Sequence, residues 1–189
     1  PEGTAACVRA CIQHGLTYNQ RQRLWYMGPM YRRERPQKGR YRQFHQFGLE
    51  AFGQPDISIE IEQILWVHRF FQTLQLPDIN LEINTLGTLA SRQAYAKALV
   101  GYLEQHHDAL DADSQLRLHT NPLRIFDSKV AETQKILTAA PKLFDSLSDD
   151  CKAHFQAVQQ LLDALHIPYI ISPRLVRGLD YYTGLVFEW

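Results

Sequence analysis

The sequence predicts an α+β fold in which a β-rich body is interrupted by a helical segment. Aromatic-rich, strand-like stretches occur early in the chain, short amphipathic helical patterns fill its middle, and strand composition returns at its end. With 189 residues, 45% of them hydrophobic, the chain can bury a core without disulfides or a metal.

The first predicted elements are a helix and two strands. Thr4 can cap a helix that ends before Gly15, a residue type that favours helix ends. Leu24–Arg32 and Arg42–Phe52 predict two antiparallel strands, which the basic loop Arg33–Tyr41 connects.

The later elements change in character along the chain. Apolar spacing predicts a helix from Asp56 to about Leu76, and alternation predicts a strand over Ile79–Ile83. Helices are then predicted at Leu89–Gln105, Ala109–Leu118, Val130–Ala139 and Asp149–His166, and strand composition at Pro168–Ile171 and Leu175–Trp189. We therefore expect a first part of the body over residues 1–87, a helical insertion over 88–167 and the continuation of the body over 168–189.

Composition excludes several classes of protein. No apolar run reaches the ~18 residues of a membrane span and no signal peptide is recognisable, which predicts a cytoplasmic protein. Cys7, Cys11 and Cys151 are expected to be free thiols, and the histidines lack ligand spacing, so we expect no structural metal. The chain starts at Pro1 and stops within a strand-like run at Trp189, which suggests an excised segment.

The net charge is zero, but positive charge is concentrated in one loop. Between residues 31 and 42 a single acidic residue, Glu34, faces six basic ones: Arg32, Arg33, Arg35, Lys38, Arg40 and Arg42. Such a loop is either a solvated turn or a phosphate site, because guanidinium groups match phosphate oxygens.

The strand Arg42–Phe52 presents two different faces, because residues two apart point the same way. One face presents an aromatic ring, an amide, room for a group to sit against the backbone, and a carboxylate; its residues are Arg42, Phe44, Gln46, Gly48, Glu50 and Phe52. The other face becomes apolar after Gln43 and His45, so Phe47, Leu49 and Ala51 are expected to pack in the core. A half-exposed sheet face is the alternative interpretation of the first set.

Three segments resemble motifs of one family. The stretch GPMYRRERPQKGRYRQFHQFGLE at Gly28–Glu50 resembles motif 2 of class II aminoacyl-tRNA synthetases, in the form found in histidyl enzymes of bacterial type. PEGTA at Pro1–Ala5 resembles a segment lining the amino-acid pocket, and LVRGLDYY at Leu175–Tyr182 resembles a histidine-specific motif. The resemblance implies a class II antiparallel β-sheet flanked by helices, with an α-helical insertion.

The resemblance also implies an ATP site, with Mg²⁺ accompanying ATP. Arg32 would contact the α-phosphate, Arg40 the outer phosphates, and Arg177 the α-phosphate from the opposite side; Arg32 and Arg177 would be the catalytic pair. Phe44 would stack on adenine, and Glu34 would lie near the base.

Histidine and tRNA sites are implied in the same way. Glu2, Thr4 and Gln46 would surround the α-amino group of histidine, and Glu50 and Tyr182 would hold its imidazole. Arg177 would also contact histidine, and its opposite strand parity to Tyr182 requires a bend or bulge near Gly178. Arg33, Arg35 and Lys38 are candidates for contacts with the tRNA backbone.

The implied function is ATP-dependent formation of histidyl-adenylate and transfer of histidine to tRNA(His) by a cytoplasmic homodimer. Nothing in the sequence resembles motif 1, motif 3 or the anticodon-binding domain, so we expect a partial catalytic domain that is poorly active alone. One alternative is a non-catalytic, synthetase-like regulatory subunit of histidine biosynthesis. A non-catalytic RNA-binding module would explain the basic loop but not Glu2, Gln46 and Glu50.

Overall fold

The computed structural model describes residues 3–175 and 182–189. The chain divides into two compact units, Pro1–Val67 and His68–Trp189. None of the helices within the described ranges is both long enough and apolar enough to cross a membrane.

The first unit is built on a β-hairpin. Its elements are helix α1 (Gly3–Gln13), strands β1 (Gln22–Tyr31) and β2 (Gln43–Phe52), and the start of helix α2 (Ile57–Thr73). The strands pair antiparallel along their whole length, from Gln22 opposite Phe52 to Tyr31 opposite Gln43. Both predicted strands are therefore confirmed to within two residues.

The helix ends of the first unit agree only in part with prediction. Asp56 caps α2, since its carboxylate accepts a hydrogen bond of 2.7 Å from the Ser58 amide. Gly15 has a left-handed backbone with φ +62° just beyond α1, as expected for a helix stop. The prediction that Thr4 caps α1 is wrong: the helix already includes Gly3, and the Thr4 hydroxyl donates to a residue of β2.

The hairpin has a half-buried face and a more exposed face. We call the face that carries Phe44, Gln46, Gly48 and Glu50 the site face; all four residues are half-buried. The opposite face was expected to be core, which is wrong for Phe47, whose exposed fraction is 42%. Its ring stacks on Trp66 of α2 with centroids 5.3 Å apart, so α2 covers this face incompletely within the first unit.

The second unit contains a small mixed sheet and most of the helices. After the end of α2 come β3 (Leu81–Thr85), α3 (Leu89–Glu104), α4 (Ala112–Arg117), α5 (Ala131–Thr138), α6 (Asp149–Ala164), β4 (Tyr169–Ile171) and β5 (Leu185–Glu188). Short 3₁₀ turns cover His107–Ala109, Pro122–Asp127 and Leu143–Ser146.

Strand β3 lies in the middle of this sheet. It pairs antiparallel with β5 and parallel with β4. A parallel neighbour requires a crossover between the strands, and the helices α3 to α6 form it. The strands that precede and follow the helical segment thus belong to one sheet. The parallel pairing itself was not predicted.

The helices share one apolar core, which extends into the segments beside them. Leu99, Leu103 and Ile125 are fully buried in it, and Leu86 and Val186 join it from the sheet region. Burial of these side chains is the main stabilising contribution to the unit.

Asp111 organises the polar side of this helical region. Its carboxylate caps α4 and accepts hydrogen bonds from the hydroxyls of Ser114, Ser128 and Thr133 at 2.7–2.9 Å. Burial alone would raise the pKa of Asp111, but these hydrogen bonds outweigh it and hold the pKa well below its usual range. The cap also explains why α4 begins at Ala112 rather than at the predicted Ala109.

Candidate active site

One end of the site face meets the basic loop and forms a polar cavity. The cavity has a volume of about 370 Å³ and is lined by Arg32, Glu34, Gly39, Arg40, Tyr41 and Phe44. All four ATP-binding candidates of the first unit are in this lining, although they span thirteen positions of the sequence from Arg32 to Phe44. The volume is within the range of small-molecule sites.

Arg32 lies across the aromatic ring of Phe44. Its guanidinium carbon is 5.2 Å from the ring centroid, and one of its nitrogens is 3.9 Å from the Glu34 carboxylate. A flat ring beside a cation is suited to a ligand that combines an aromatic base with phosphates, because the base can stack while the cation contacts the anion.

The backbone of the loop explains why Arg40 returns to this cavity. Gln37 and Arg40 exchange two backbone hydrogen bonds around a tight turn of Lys38 and Gly39. Gly39 has φ +79°, a conformation that side chains with a Cβ rarely adopt. The turn folds the loop back on itself and brings Arg40 towards Phe44.

The remaining basic residues of the loop face solvent. Arg33, Arg35 and Lys38 are exposed, and no carboxylate of residues 3–175 or 182–189 forms a salt bridge with any of them. Their charge is thus available to an external polyanion.

The other end of the site face is held by the start of α1. The Gly3 amide donates to Gln46 Oε1 at 3.1 Å, and the Thr4 hydroxyl donates to Glu50 Oε1 at 2.6 Å. The sequence predicted Thr4 and Gln46 at the α-amino group of histidine and Glu50 at its imidazole. In the structure, Thr4 is hydrogen-bonded to Glu50. A donating hydroxyl and a carbonyl oxygen both keep acceptor capacity, so this cluster can still accept hydrogen bonds from an ammonium group.

Tyr26 completes the cluster and was missed by sequence reasoning. It lies opposite Gly48 on β1, and its hydroxyl donates to Glu50 Oε1 at 3.2 Å. The Tyr26 ring fills the space above Gly48, where the sequence predicted room for a group to sit against the backbone. The sequence of β1 does not single out Tyr26, because it lies between two other large apolar residues, Trp25 and Met27, and its partner depends on the strand register.

Three further residues were predicted to bind histidine: Glu2, Arg177 and Tyr182. Glu2 and Arg177, together with the bend expected near Gly178, lie outside the described residues. Tyr182 belongs to the second unit, where it is half-buried and packs against the apolar core.

The described chain on either side of residues 176–181 is hydrogen-bonded to β3 and the turn after it. On one side the Asn84 side-chain amide donates to the Leu175 carbonyl at 3.0 Å, and the Ser172 amide donates to Ile83. On the other side the Leu86 amide donates to the Gly184 carbonyl at 2.8 Å. The sequence did not indicate this contact of Asn84, because a buried side-chain amide has no periodic signature.

The histidine, cysteine and acidic side chains of the described residues bear on metal binding and disulfide formation. Within the two described ranges, His, Cys, Asp and Glu side chains form no group of three that could hold a metal ion. Cys7, Cys11 and Cys151 carry free thiols. The residues of the site face and the cavity offer arginine, carboxylate, amide and hydroxyl groups for binding and charge stabilisation.

Comparison with known proteins identifies the fold. A family model described as histidyl-tRNA synthetase matches residues 1–189. The apo histidyl-tRNA synthetase of S. aureus is 42% identical with a TM-score of 0.76, and the match covers 100% of this chain and 44% of that chain. A histidine–tRNA ligase subunit from Alicyclobacillus acidocaldarius is 19% identical with a TM-score of 0.54, covering 100% of this chain and 62% of that one. The second similarity concerns the fold alone.

The mixed helix-and-sheet fold is that of a class II aminoacyl-tRNA synthetase catalytic domain, as predicted. This chain spans less than half the length of the S. aureus protein. The family match over the whole chain and the 42% identity lead to one conclusion. The chain belongs to the histidyl-tRNA synthetase family.

Proposed function

We propose that the chain provides the motif 2 half of a site that activates histidine with ATP and transfers it to tRNA(His). The observation that carries this proposal is the site face of the hairpin. It has a cationic, aromatic cavity at one end and a carboxylate, amide and hydroxyl cluster at the other, matching the two ends of a histidyl-adenylate.

In the proposed reaction a carboxylate oxygen of histidine attacks the α-phosphorus of ATP, and pyrophosphate leaves with the electrons of the broken P–O bond. Arg32 stabilises charge on the α-phosphate, and Arg40 contacts the outer phosphates, which arrive with Mg²⁺. Phe44 stacks on adenine beside Glu34. Such catalysis depends mainly on positioning and on fixed positive charge.

Histidine is recognised at the other end of the face. Gln46 and Thr4 accept hydrogen bonds from the α-ammonium group, to which we also assign Glu2. Glu50 accepts a hydrogen bond from an imidazole N–H, with Tyr182 as a further partner. We assign Arg177 to the α-phosphate and to histidine.

The tRNA part of the proposal rests on the exposed charge of the loop. Arg33, Arg35 and Lys38 contact the tRNA backbone electrostatically, without reading its sequence. We also propose that the enzyme is cytoplasmic. The chain is proposed to consist of a first part of the catalytic body over residues 1–87, a helical insertion over 88–167 and the continuation of the body over 168–189.

We also propose that the enzyme is a homodimer. Trp25 and Met27, on the face of the hairpin opposite the site face, have exposed fractions of 67% and 72% in the described structure. Apolar side chains exposed side by side favour coverage by a further protein surface. Analytical ultracentrifugation of the protein that carries this chain tests this point, and a monomer at micromolar concentration would contradict it.

Histidine-dependent exchange between ATP and labelled pyrophosphate tests the activation step. We expect exchange by the protein that carries this chain, and a loss of about 100-fold or more on Arg32→Ala, because a charge stabiliser of the transition state is removed. No exchange by the wild type would contradict the proposed function and favour a non-catalytic regulatory subunit.

Arg117 offers a matched control for Arg32. Both side chains have a relative exposure of 42%, and both lie 3.9 Å from a carboxylate. Arg117→Ala should leave exchange unchanged. An equal loss in both variants would mean that the effect of Arg32→Ala is not specific to the site.

A further inference from the structure

We propose that Tyr26 is a positioning residue for histidine recognition, acting through Glu50. This inference rests on the proposed function and assigns to it a residue outside the segments that resemble family motifs. Tyr26 precedes Gly28, where the motif 2 resemblance begins, and reaches the site from the neighbouring strand.

Two donors from the described residues converge on one carboxylate oxygen of Glu50. The Tyr26 hydroxyl donates to Oε1 at 3.2 Å from β1, and the Thr4 hydroxyl donates to the same atom at 2.6 Å from α1. Two donors from separate elements fix the plane of the carboxylate. Its second oxygen, Oε2, accepts no hydrogen bond from the described residues, and we assign this oxygen to the imidazole N–H of histidine.

The Tyr26 ring is held in a fixed position by two glycines. A Cβ atom added to Gly48, directly across the hairpin, would overlap the ring, and so would a Cβ added to Gly3 at the start of α1. The ring therefore fits between β2 and α1 because both neighbours lack a side chain. This confinement restricts the hydroxyl to the neighbourhood of Glu50.

A fixed carboxylate improves recognition without adding a contact to the substrate. A carboxylate that rotates freely loses conformational entropy when it binds an N–H group, whereas one that is already oriented loses less. Supporting hydrogen bonds of this kind also hold a recognition group in its productive geometry. Tyr26 should thus raise affinity for histidine and leave affinity for ATP unchanged.

Tyr26→Phe in the protein that carries this chain is the direct test, since it removes the hydroxyl and keeps the ring. We expect the KM for histidine in pyrophosphate exchange, and the Kd for histidine in calorimetry, to rise about tenfold, the usual effect of losing a hydrogen bond to a charged group. The KM for ATP should stay the same. Tyr31→Phe, an exposed tyrosine on the opposite face of the same strand, is the matched control and should change neither constant.

A double-mutant cycle with Glu50→Gln separates positioning from a general structural effect. If Tyr26 acts through Glu50, Tyr26→Phe should change histidine affinity less than about twofold in the Glu50→Gln background, because coupled residues are not additive. Additive effects, an unchanged histidine KM, or an equal rise in the ATP KM would each overturn the inference. A wild-type protein with neither histidine binding nor exchange would overturn the proposed function, and this inference with it.

Discussion

Gly48→Ala adds one methyl group at a position that touches no proposed ligand, and we expect it to impair both stability and histidine recognition. The added Cβ would overlap the Tyr26 ring, which is itself confined by Gly3 on its other side. The ring cannot move away without displacing β2 or the start of α1. The methyl group must therefore either strain the hairpin or displace the tyrosine.

The expected loss of stability follows from strain in the hairpin, and the expected loss of histidine affinity follows from displacement of the Tyr26 ring. Overpacking of this kind destabilises by about 1–3 kcal/mol, and we take about 2 kcal/mol. For a chain of this length that corresponds to a fall in the unfolding midpoint of about 4–8 °C. Displacement of the ring also removes the hydroxyl from Glu50, so the histidine KM should rise about tenfold, as for Tyr26→Phe.

Differential scanning calorimetry and pyrophosphate exchange measure the two effects. Gly28→Ala is the stability control: it lies on the same hairpin, opposite Gln46, and an added Cβ there meets no atom within 4 Å. Gly28→Ala should shift the midpoint far less than Gly48→Ala. Equal midpoints for the two variants together with an unchanged histidine KM in Gly48→Ala would refute the assigned place of Tyr26.

Three further predictions concern acid stability, ATP and tRNA. Asp111→Asn should lower the free energy of unfolding by about 2 kcal/mol at pH 7, because hydroxyl donors lose a charged acceptor. The pKa of Asp111 is lower in the folded protein than in the unfolded chain, where it is about 4. The contribution of this carboxylate to the free energy of unfolding is therefore complete above the pKa of the unfolded chain, and it is lost as the pH falls through the pKa of the folded protein. Urea unfolding of the wild type and Asp111→Asn should therefore show a smaller difference in the free energy of unfolding at pH 3 than at pH 7. Equal differences at the two pH values would contradict a role for the ionised Asp111 carboxylate. Phe44→Leu should raise the KM for ATP about tenfold, through lost stacking, with histidine Kd unchanged; an unchanged ATP KM would remove Phe44 from the adenine site. Arg33→Ala with Arg35→Ala should raise the KM for tRNA and reduce its salt dependence without changing exchange, and a loss of exchange would instead place these arginines at ATP.

The sequence was sufficient to predict the hairpin and the residues of its site face. Alternation along Arg42–Phe52 is informative because Gln46, Gly48 and Glu50 fall on one face and Phe47, Leu49 and Ala51 on the other. The same pattern overestimated the burial of Phe47, since alternation reports which face a residue occupies and not whether another element covers that face. Only tertiary packing decides the second point.

Contacts between elements were the part that local patterns could not supply. The Thr4 hydroxyl could cap a helix by accepting a hydrogen bond from a backbone N–H, but α1 already includes Gly3, so Thr4 lies inside the helix and its hydroxyl donates to Glu50 instead. The contact between Tyr26 and Glu50 depends on the register of β1 against β2, and a long connecting loop does not fix that register. The parallel partner of β3 is a strand of three residues, too short for a periodic signal.

The fit between Tyr26 and Gly48 also explains how the register of the hairpin is fixed. Residues two apart on a strand are about 6.8 Å apart, so the site face from Phe44 to Glu50 spans roughly 20 Å. In the proposed reaction this span matches an extended ligand that has adenine at one end and imidazole at the other. A slip of one residue would turn every member of the site face to the opposite side, and a slip of two would set the Tyr26 ring against Gln46 or Glu50, which carry the side chains that Gly48 lacks. The tyrosine therefore stabilises one register, and the correct spacing between the nucleotide end and the histidine end depends on that register.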